Sequence, residues 1–194
     1  MTFPYSLKHL FLLSAMISAP VQAQPDMPHN NVDVTVKRMQ NNDQSFFRVD
    51  ASGFAAATQQ QVWQVLTDYE RLSSFVPDMS SSTLISRTGH EAIVEQNGKA
   101  GFLFIKRDVH LVMRVTEQPF STIDIALIEG DMRHYTAHWG LAPSARDGRS
   151  GTLITYSASM EPDFFVPPLI SGPLVQADVE KTMEAVIAEI ARRY

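Results

Sequence analysis

From Ser82 to Met160 apolar residues recur at every second position almost without a break, and the chain then closes with a stretch of helical period. Val109, Leu111, Met113 and Val115 alternate with His110, Val112 and Arg114. Ile123, Ile125 and Leu127 alternate with Thr122, Asp124 and Ala126, and Ile154, Tyr156, Ala158 and Met160 alternate with Thr155, Ser157 and Ser159. A strand whose successive side chains point to opposite faces turns this pattern into an antiparallel sheet with one apolar and one mostly polar face. Gly89, Gly98, Pro119, Gly130 and the ARDGRSG segment at 145–151 supply turns at hairpin spacing. Such a sheet must find a cover for its apolar face.

The cover is the last helix. Val175, Val179, Met183, Val186 and Ile190 recur every three or four residues, while Asp178, Glu180 and Glu184 lie off that stripe. Ser171 is expected to cap it, with Gly172 and Pro173 at its start, and Arg192-Arg193 suits the negative end of its dipole. About 20 residues of helix span roughly 30 Å, enough to cross a small domain. Upstream, Val32-Asp33-Val34-Thr35-Val36 alternates, and Asn41-Asn42-Asp43 signals a turn before Phe46 to Phe54, which reads as an opening strand pair. Val62, Val65, Leu66 and Tyr69 then share one helical face; Thr58 and Gln61 form a capping box, and Asp68 can cap a second short helix that carries Leu72 and Phe75 inward until Pro77 stops it.

These elements predict an α+β helix-grip fold, with a curved antiparallel sheet wrapped around a long C-terminal helix and two short helices after the first strand. A curved sheet meets a straight helix closely only near its middle, so the arrangement tends to leave a hollow. The residues expected to face it are Val65, Tyr69 and Phe75 from the helix pair; Val109, Leu111 and Met113 from one strand; and Ile125, Leu127, Trp139 and Tyr156 from the next three. Val175, Val179, Met183 and Val186 face it from the last helix. Met79, Met113, Met132, Met160 and Met183 add flexible side chains suited to an adaptable wall, though for any one of them filling a core is the commoner use.

The first 23 of the 194 residues read as an export signal: Lys8 gives a positive start, Leu10 to Ile17 a short apolar run, and Val21-Gln22-Ala23 a cleavage site. The run is too short to span a membrane, which takes about 20 residues. Residues 24–31 read as a flexible leader. The expected mature product is exported, in a bacterial periplasm, and about 170 residues suffice for one sizeable core. Absence of cysteine excludes disulfides and a lipid anchor on Cys. The formal charge of −5 becomes one unit more negative once Lys8 is removed, which disfavours nucleic acid as a partner.

A family resemblance attaches to particular residues. The segment VWQVLTDYERLSSFVPDM at 62–79, Gln96-Asn97-Gly98 read as a turn, Ile128-Glu129-Gly130-Asp131-Met132, Trp139-Gly140-Leu141, Thr152 to Tyr156 and Glu161-Pro162 with Val166-Pro167 resemble the polyketide cyclase/dehydrase and lipid-transport proteins of the START superfamily, near the coenzyme Q-binding branch. The most specific part is Trp63 with Asp68-Tyr69-Glu70 and Phe75-Val76-Pro77. The likeness covers 32–194. It implies a helix-grip domain whose tunnel holds lipids, quinones or polyketides, without a shared catalytic set. The quinone-binding members work inside cells or mitochondria, whereas this chain opens on an export signal.

Catalytic chemistry has few candidates. His134 and His138, with Asp131 and Tyr135, are the densest titratable cluster, but a metal site needs a third ligand at suitable spacing, and if Tyr135, Ala137 and Trp139 face the core both imidazoles point to solvent. No GxSxG elbow or phosphate-cradling loop occurs. A cyclase needs only a shaped pocket and one proton donor or acceptor, a part open to Tyr156, Asp131 or Arg114. The expectation is therefore a binder or carrier of a hydrophobic small molecule (lipid, isoprenoid or quinone), with no metal or cofactor implied. The alternative is a polyketide cyclase or dehydratase in the same pocket, and beyond it an interaction module with a filled core. The apolar loop 163–170, carrying Phe164 and Phe165, is either a gate that transiently touches a membrane or a loop stapled to the core.

Overall fold

The structure is a computed structural model that describes residues 32–41, 44–102, 105–164 and 168–194. The expected signal and leader lie outside the described residues. Eight strands are described: β1 (Val32–Asn41), β2 (Gln44–Ala55), β3 (Met79–Thr88), β4 (Glu91–Phe102), β5 (Ile105–Gln118), β6 (Thr122–Gly130), β7 (Met132–Arg146) and β8 (Arg149–Pro162). They form one antiparallel sheet in the order β1-β2-β8-β7-β6-β5-β4-β3. The helix α1 (Gln59–Leu66) and a 3-10 helix (Tyr69–Ser74) follow the β1–β2 hairpin, and α2 (Pro168–Arg193) closes the chain. This is the helix-grip arrangement.

Local chemistry explains the start of α1. Thr58 Oγ1 accepts from the Gln61 backbone N–H at 3.3 Å, and Gln61 Oε1 accepts from the Thr58 N–H at 2.8 Å, so two otherwise orphaned donors are satisfied reciprocally. Val62, Val65 and Leu66 turn inward, and Gln59 donates to the carbonyls of Phe120 and Leu141, fixing the helix to the β5–β6 turn and to β7. Asp68 does not cap the 3-10 helix with its side chain. Its Oδ2 instead accepts from Arg193 Nη1 at 3.0 Å, which ties the end of α2 to the α1 corner.

Helix α2 begins at Pro168, more than a turn before the Gly172-Pro173 start read from the sequence, and Pro173 lies inside it. The rule that proline suits the first helical position holds, but for Pro168. Pro173 is the sixth residue of the helix, past the first four positions whose N–H groups lack partners, so it forfeits one intrahelical backbone bond. At the other end Glu189 accepts from Arg192 Nε and Nη2 and from Arg193 Nε, each at 2.7 Å. These bonds, Arg192's first, hold the Glu189 carboxyl down to about 2 from an ordinary 4.5. Because the folded value is the lower one, the stabilisation is fully present above pH 4.5 and is lost as pH falls towards about 2. Acid unfolding followed by circular dichroism should therefore show Glu189→Gln less stable than the parent above that window, and the two converging below it.

The Gln96-Asn97-Gly98 segment, expected to turn, runs straight through β4. Gly98 pairs with Met79 on one side and Val109 on the other. A Cβ there would sit 2.8 Å from the Asp78 carbonyl, which accepts the Lys99 N–H at 2.8 Å. Glycine serves a close approach of two backbones, a use that the same dipeptide signal does not distinguish from a turn.

Strand β5 carries a register shift between Val112 and Met113 against β6, and β3 and β7 carry others. Such bulges bend and twist a sheet locally. The bent sheet and α2 meet most closely along β1 and β2, where α1 also joins. The dry core fills that side with Val49, Val62, Val65, Ile154 and Ile190, each no more than 1% exposed. Over β4 to β7 the helix stands off.

Candidate functional site

The space under α2 is a cavity of about 570 Å³. Its floor is the apolar face of the sheet, and Val109, Leu111 and Met113 of β5, Ile125 of β6, Trp139 of β7 and Tyr156 of β8 all reach it as their alternation requires. Tyr69 enters from the 3-10 helix, and Val175, Val179, Met183 and Val186 form the roof. The α2 stripe thus does two jobs: its first part roofs open space, while Ile190 is sealed into the core. All five methionines named from the sequence line the wall.

Three expected wall residues do not reach it. Val65 is fully buried in the core cluster, on the side where helix and sheet touch. Phe75 packs against that cluster at the end of the 3-10 helix, leaving Leu72, Val76 and Pro77 to face the hollow. Leu127 pairs with Met113 beside the β5–β6 register shift, half-buried and outside the lining. Each lies on the predicted inward face; what the period cannot say is whether the space opposite is filled. Tyr135 and Phe164, not singled out as wall residues, belong to it. The alternation Tyr135, Ala137, Trp139 already carried the first.

Charge lies mostly at the rim: Asp78, Lys99, Arg107 and Lys181 border the cavity and are exposed, and Asp178, on α2 with Lys181, is half-buried. Arg107 lies over the Phe164 ring, 4.9 Å from its centroid, so this ring packs at the mouth against a protein cation. Phe165 lies outside the residues whose side chains are described.

Two polar groups of the wall are tied in detail. Tyr69 O–H donates to Glu117 Oε1 at 2.8 Å, and Arg87 Nη1 donates to Glu117 Oε2 at 2.9 Å with its guanidinium 5.6 Å from the Tyr69 ring centroid. Burial, then the Glu117 carboxylate, raises the Tyr69 phenol above its ordinary value. On β7 and β8, Tyr135 and Tyr156 place their hydroxyls 3.2 Å apart, and Trp139 tilts against Tyr156 with centroids 4.7 Å apart. Burial raises both phenols, so both keep their protons.

The histidine cluster turns outward, as expected with Tyr135 and Trp139 facing in. His134 and His138 are exposed, and His138 Nδ1 lies 2.7 Å from Asp124 Oδ1. Asp131 Oδ2 accepts the His110 backbone N–H at 2.8 Å, and Arg114 is exposed on the outer face, so neither serves the hollow. Among the described residues no three His, Cys, Asp or Glu side chains gather as a metal site would require, and no helix is long and apolar enough to cross a membrane.

This shape is shared with solved structures of low sequence identity. A STAR-related lipid transfer protein fragment from Xanthomonas axonopodis superposes with a TM-score of 0.66 at 19% identity, over 83% of this chain and 94% of that one. A START superfamily protein from Mycobacterium smegmatis gives 0.65 at 14% identity, over 76% and 99%. The Zhui aromatase/cyclase from Streptomyces sp. R1128 gives 0.60 at 16% identity, over 76% and 95%. No curated protein matches the sequence significantly. The family model described as polyketide cyclase / dehydrase and lipid transport matches residues 55–187, more than half of the chain and the whole of the cavity except part of β2. The chain therefore belongs to the polyketide cyclase/dehydrase and lipid transport family.

Proposed function

We propose that the protein binds and carries a hydrophobic small molecule, a lipid, isoprenoid or quinone, in the cavity under α2. The observation that carries this reading is a hollow of about 570 Å³ with apolar walls and most of its charges at the rim. That volume falls among ligand sites, which run from about 300 to 1,000 Å³. Each methylene moved from water to such a wall contributes about 0.8 kcal/mol. Titration with the fluorescent apolar probe N-phenyl-1-naphthylamine tests it: saturable uptake at one site per chain is expected, and no enhancement over buffer would count against the reading.

A second reading, a polyketide cyclase or dehydratase, has a specific support: the fold resembles Zhui and the di-domain aromatase/cyclase StfQ of the steffimycin pathway, and two buried phenols offer protons inside the hollow. Turnover of an aromatic poly-keto thioester by the purified protein would favour it; uptake without turnover favours the carrier.

Export belongs to the proposal as well, on the strength of the Lys8 and Leu10–Ile17 pattern. The exported protein should begin at Gln24 when its N-terminus is sequenced from a periplasmic fraction. The apolar segment 163–170, of which Phe164 lies at the mouth, is the proposed point of membrane contact during exchange, and a cytoplasmic, uncleaved chain would remove that part.

A further inference from the structure

Among the described residues, the wall of the cavity holds one hydroxyl proton more than its acceptors take up. Among the lining hydroxyls, Tyr69 donates to Glu117 and Thr182 donates to the Asp178 carbonyl at 2.9 Å. Tyr135 and Tyr156 bring two protons and share one contact, in which either oxygen can be the donor. One proton closes the pair. The other has no acceptor among the described residues, although leaving a buried polar hydrogen without one is costly. The lining amides lie elsewhere: Gln96 and Asn97 are on β4, holding Ser82 and Ser81 of the neighbouring strand.

The surroundings narrow what can meet that proton. Tyr135 and Tyr156 are flanked by Met160, which pairs with Tyr135, and by Trp139, which pairs with Tyr156. The cations of the wall, Lys99, Arg107 and Lys181, are exposed at the rim. An anionic carboxylate drawn down to the pair would be stripped of water with no counter-charge beside it. A neutral acceptor is stripped at far lower cost. A bare hydrocarbon leaves the proton unsatisfied.

We propose that the Tyr135–Tyr156 pair is a hydrogen-bond donor to a ligand oxygen, and that the molecule carried is a neutral lipid-like compound with a carbonyl group lodged against β7 and β8. This rests on the carrier reading and specifies its ligand class. The pair has a signature of its own. With either tyrosine replaced by phenylalanine, the remaining hydroxyl has its single proton free for the ligand. Only the double replacement removes the hydroxyl donor, and it leaves both rings and the neighbouring Trp139 in place.

The test is displacement of N-phenyl-1-naphthylamine from the purified protein by 2-undecanone and, in parallel, by undecane. The expected result is that Tyr135→Phe and Tyr156→Phe each keep the ketone affinity. The double variant should lose roughly three- to tenfold, the worth of one hydrogen bond, with the undecane affinity unchanged. Equal treatment of the two probes by the double variant overturns the inference while the cavity reading stands. So does a full loss in either single variant, which would make one hydroxyl the donor and the pairing irrelevant. If the probe binds the parent protein but neither compound displaces it, or the probe does not bind at all, the carrier reading fails and takes the inference with it.

Discussion

Val179→Arg should weaken uptake of an apolar probe roughly a hundredfold and leave the protein folded. Val179 is half-buried on the roof, one turn from the sealed Met183 and beside the rim residues Asp178 and Lys181. An arginine placed there has a stem long enough to run along the wall and bring its head towards the mouth, so the charge need not be buried. The whole side chain carries about four more heavy atoms than valine and displaces about as many ligand methylenes, which at about 0.8 kcal/mol each removes about 3 kcal/mol of binding, or roughly a hundredfold in Kd. Val179→Ala, which widens the cavity instead, should keep uptake. Met183 would not serve for this experiment: at 1% exposure its replacement by arginine buries an unpaired cation, and the loss of folding would hide any loss of binding. Fluorescence titration with N-phenyl-1-naphthylamine, alongside far-UV circular dichroism, separates the outcomes. Undiminished uptake by a folded Val179→Arg would place the probe elsewhere.

Glu117→Ala is expected to destabilise the fold by about 2–3 kcal/mol, or roughly 4–12 °C in Tm for a chain of this size. The side chain of Glu117 is only 6% exposed and accepts from both Tyr69 and Arg87. Removing it strands a buried phenolic proton and a guanidinium. Arg87 remains about one-third exposed, so water recovers part of its loss and the cost stays below that of a fully buried pair. Because Tyr69 lies in the cavity wall, the variant should also loosen probe binding, whereas Arg71→Ala, whose contact with Asp68 is 3.8 Å long and exposed, should change neither. Thermal unfolding monitored by circular dichroism checks both variants; a Glu117→Ala Tm equal to the parent's would mean that the Tyr69–Glu117–Arg87 cluster does not hold the 3-10 helix to β5.

The order of elements was legible because both periods are long. Alternation from Val109 to Val115 states which side chains face in, and the spacing from Val175 to Ile190 states which side of α2 answers them. The hollow was legible only as a consequence of shape, and the limits of that inference fall on identifiable residues. Val65 and Tyr69 share a helical face, yet one meets packed side chains and the other meets open space, because α2 touches the sheet along β1 and β2 and stands off beyond them. Leu127 continues the pattern of Ile123 and Ile125 and pairs with the wall residue Met113, yet it is half-buried outside the lining, which the alternation alone does not reveal. Gly98 beside Asn97 carries the chemistry of a turn and is used for backbone contact with Asp78, which no local pattern reveals. The tyrosine pair depends on β7 and β8 register across 21 residues of chain, a relation that becomes visible only once the strands are paired.

Native mass spectrometry of the protein isolated from its own cells tests the central claim most directly. A single small-molecule adduct of discrete mass, bound one to one and absent from Val179→Arg, is the result this account predicts. A bare chain only, or an adduct that Val179→Arg retains in full, would contradict it.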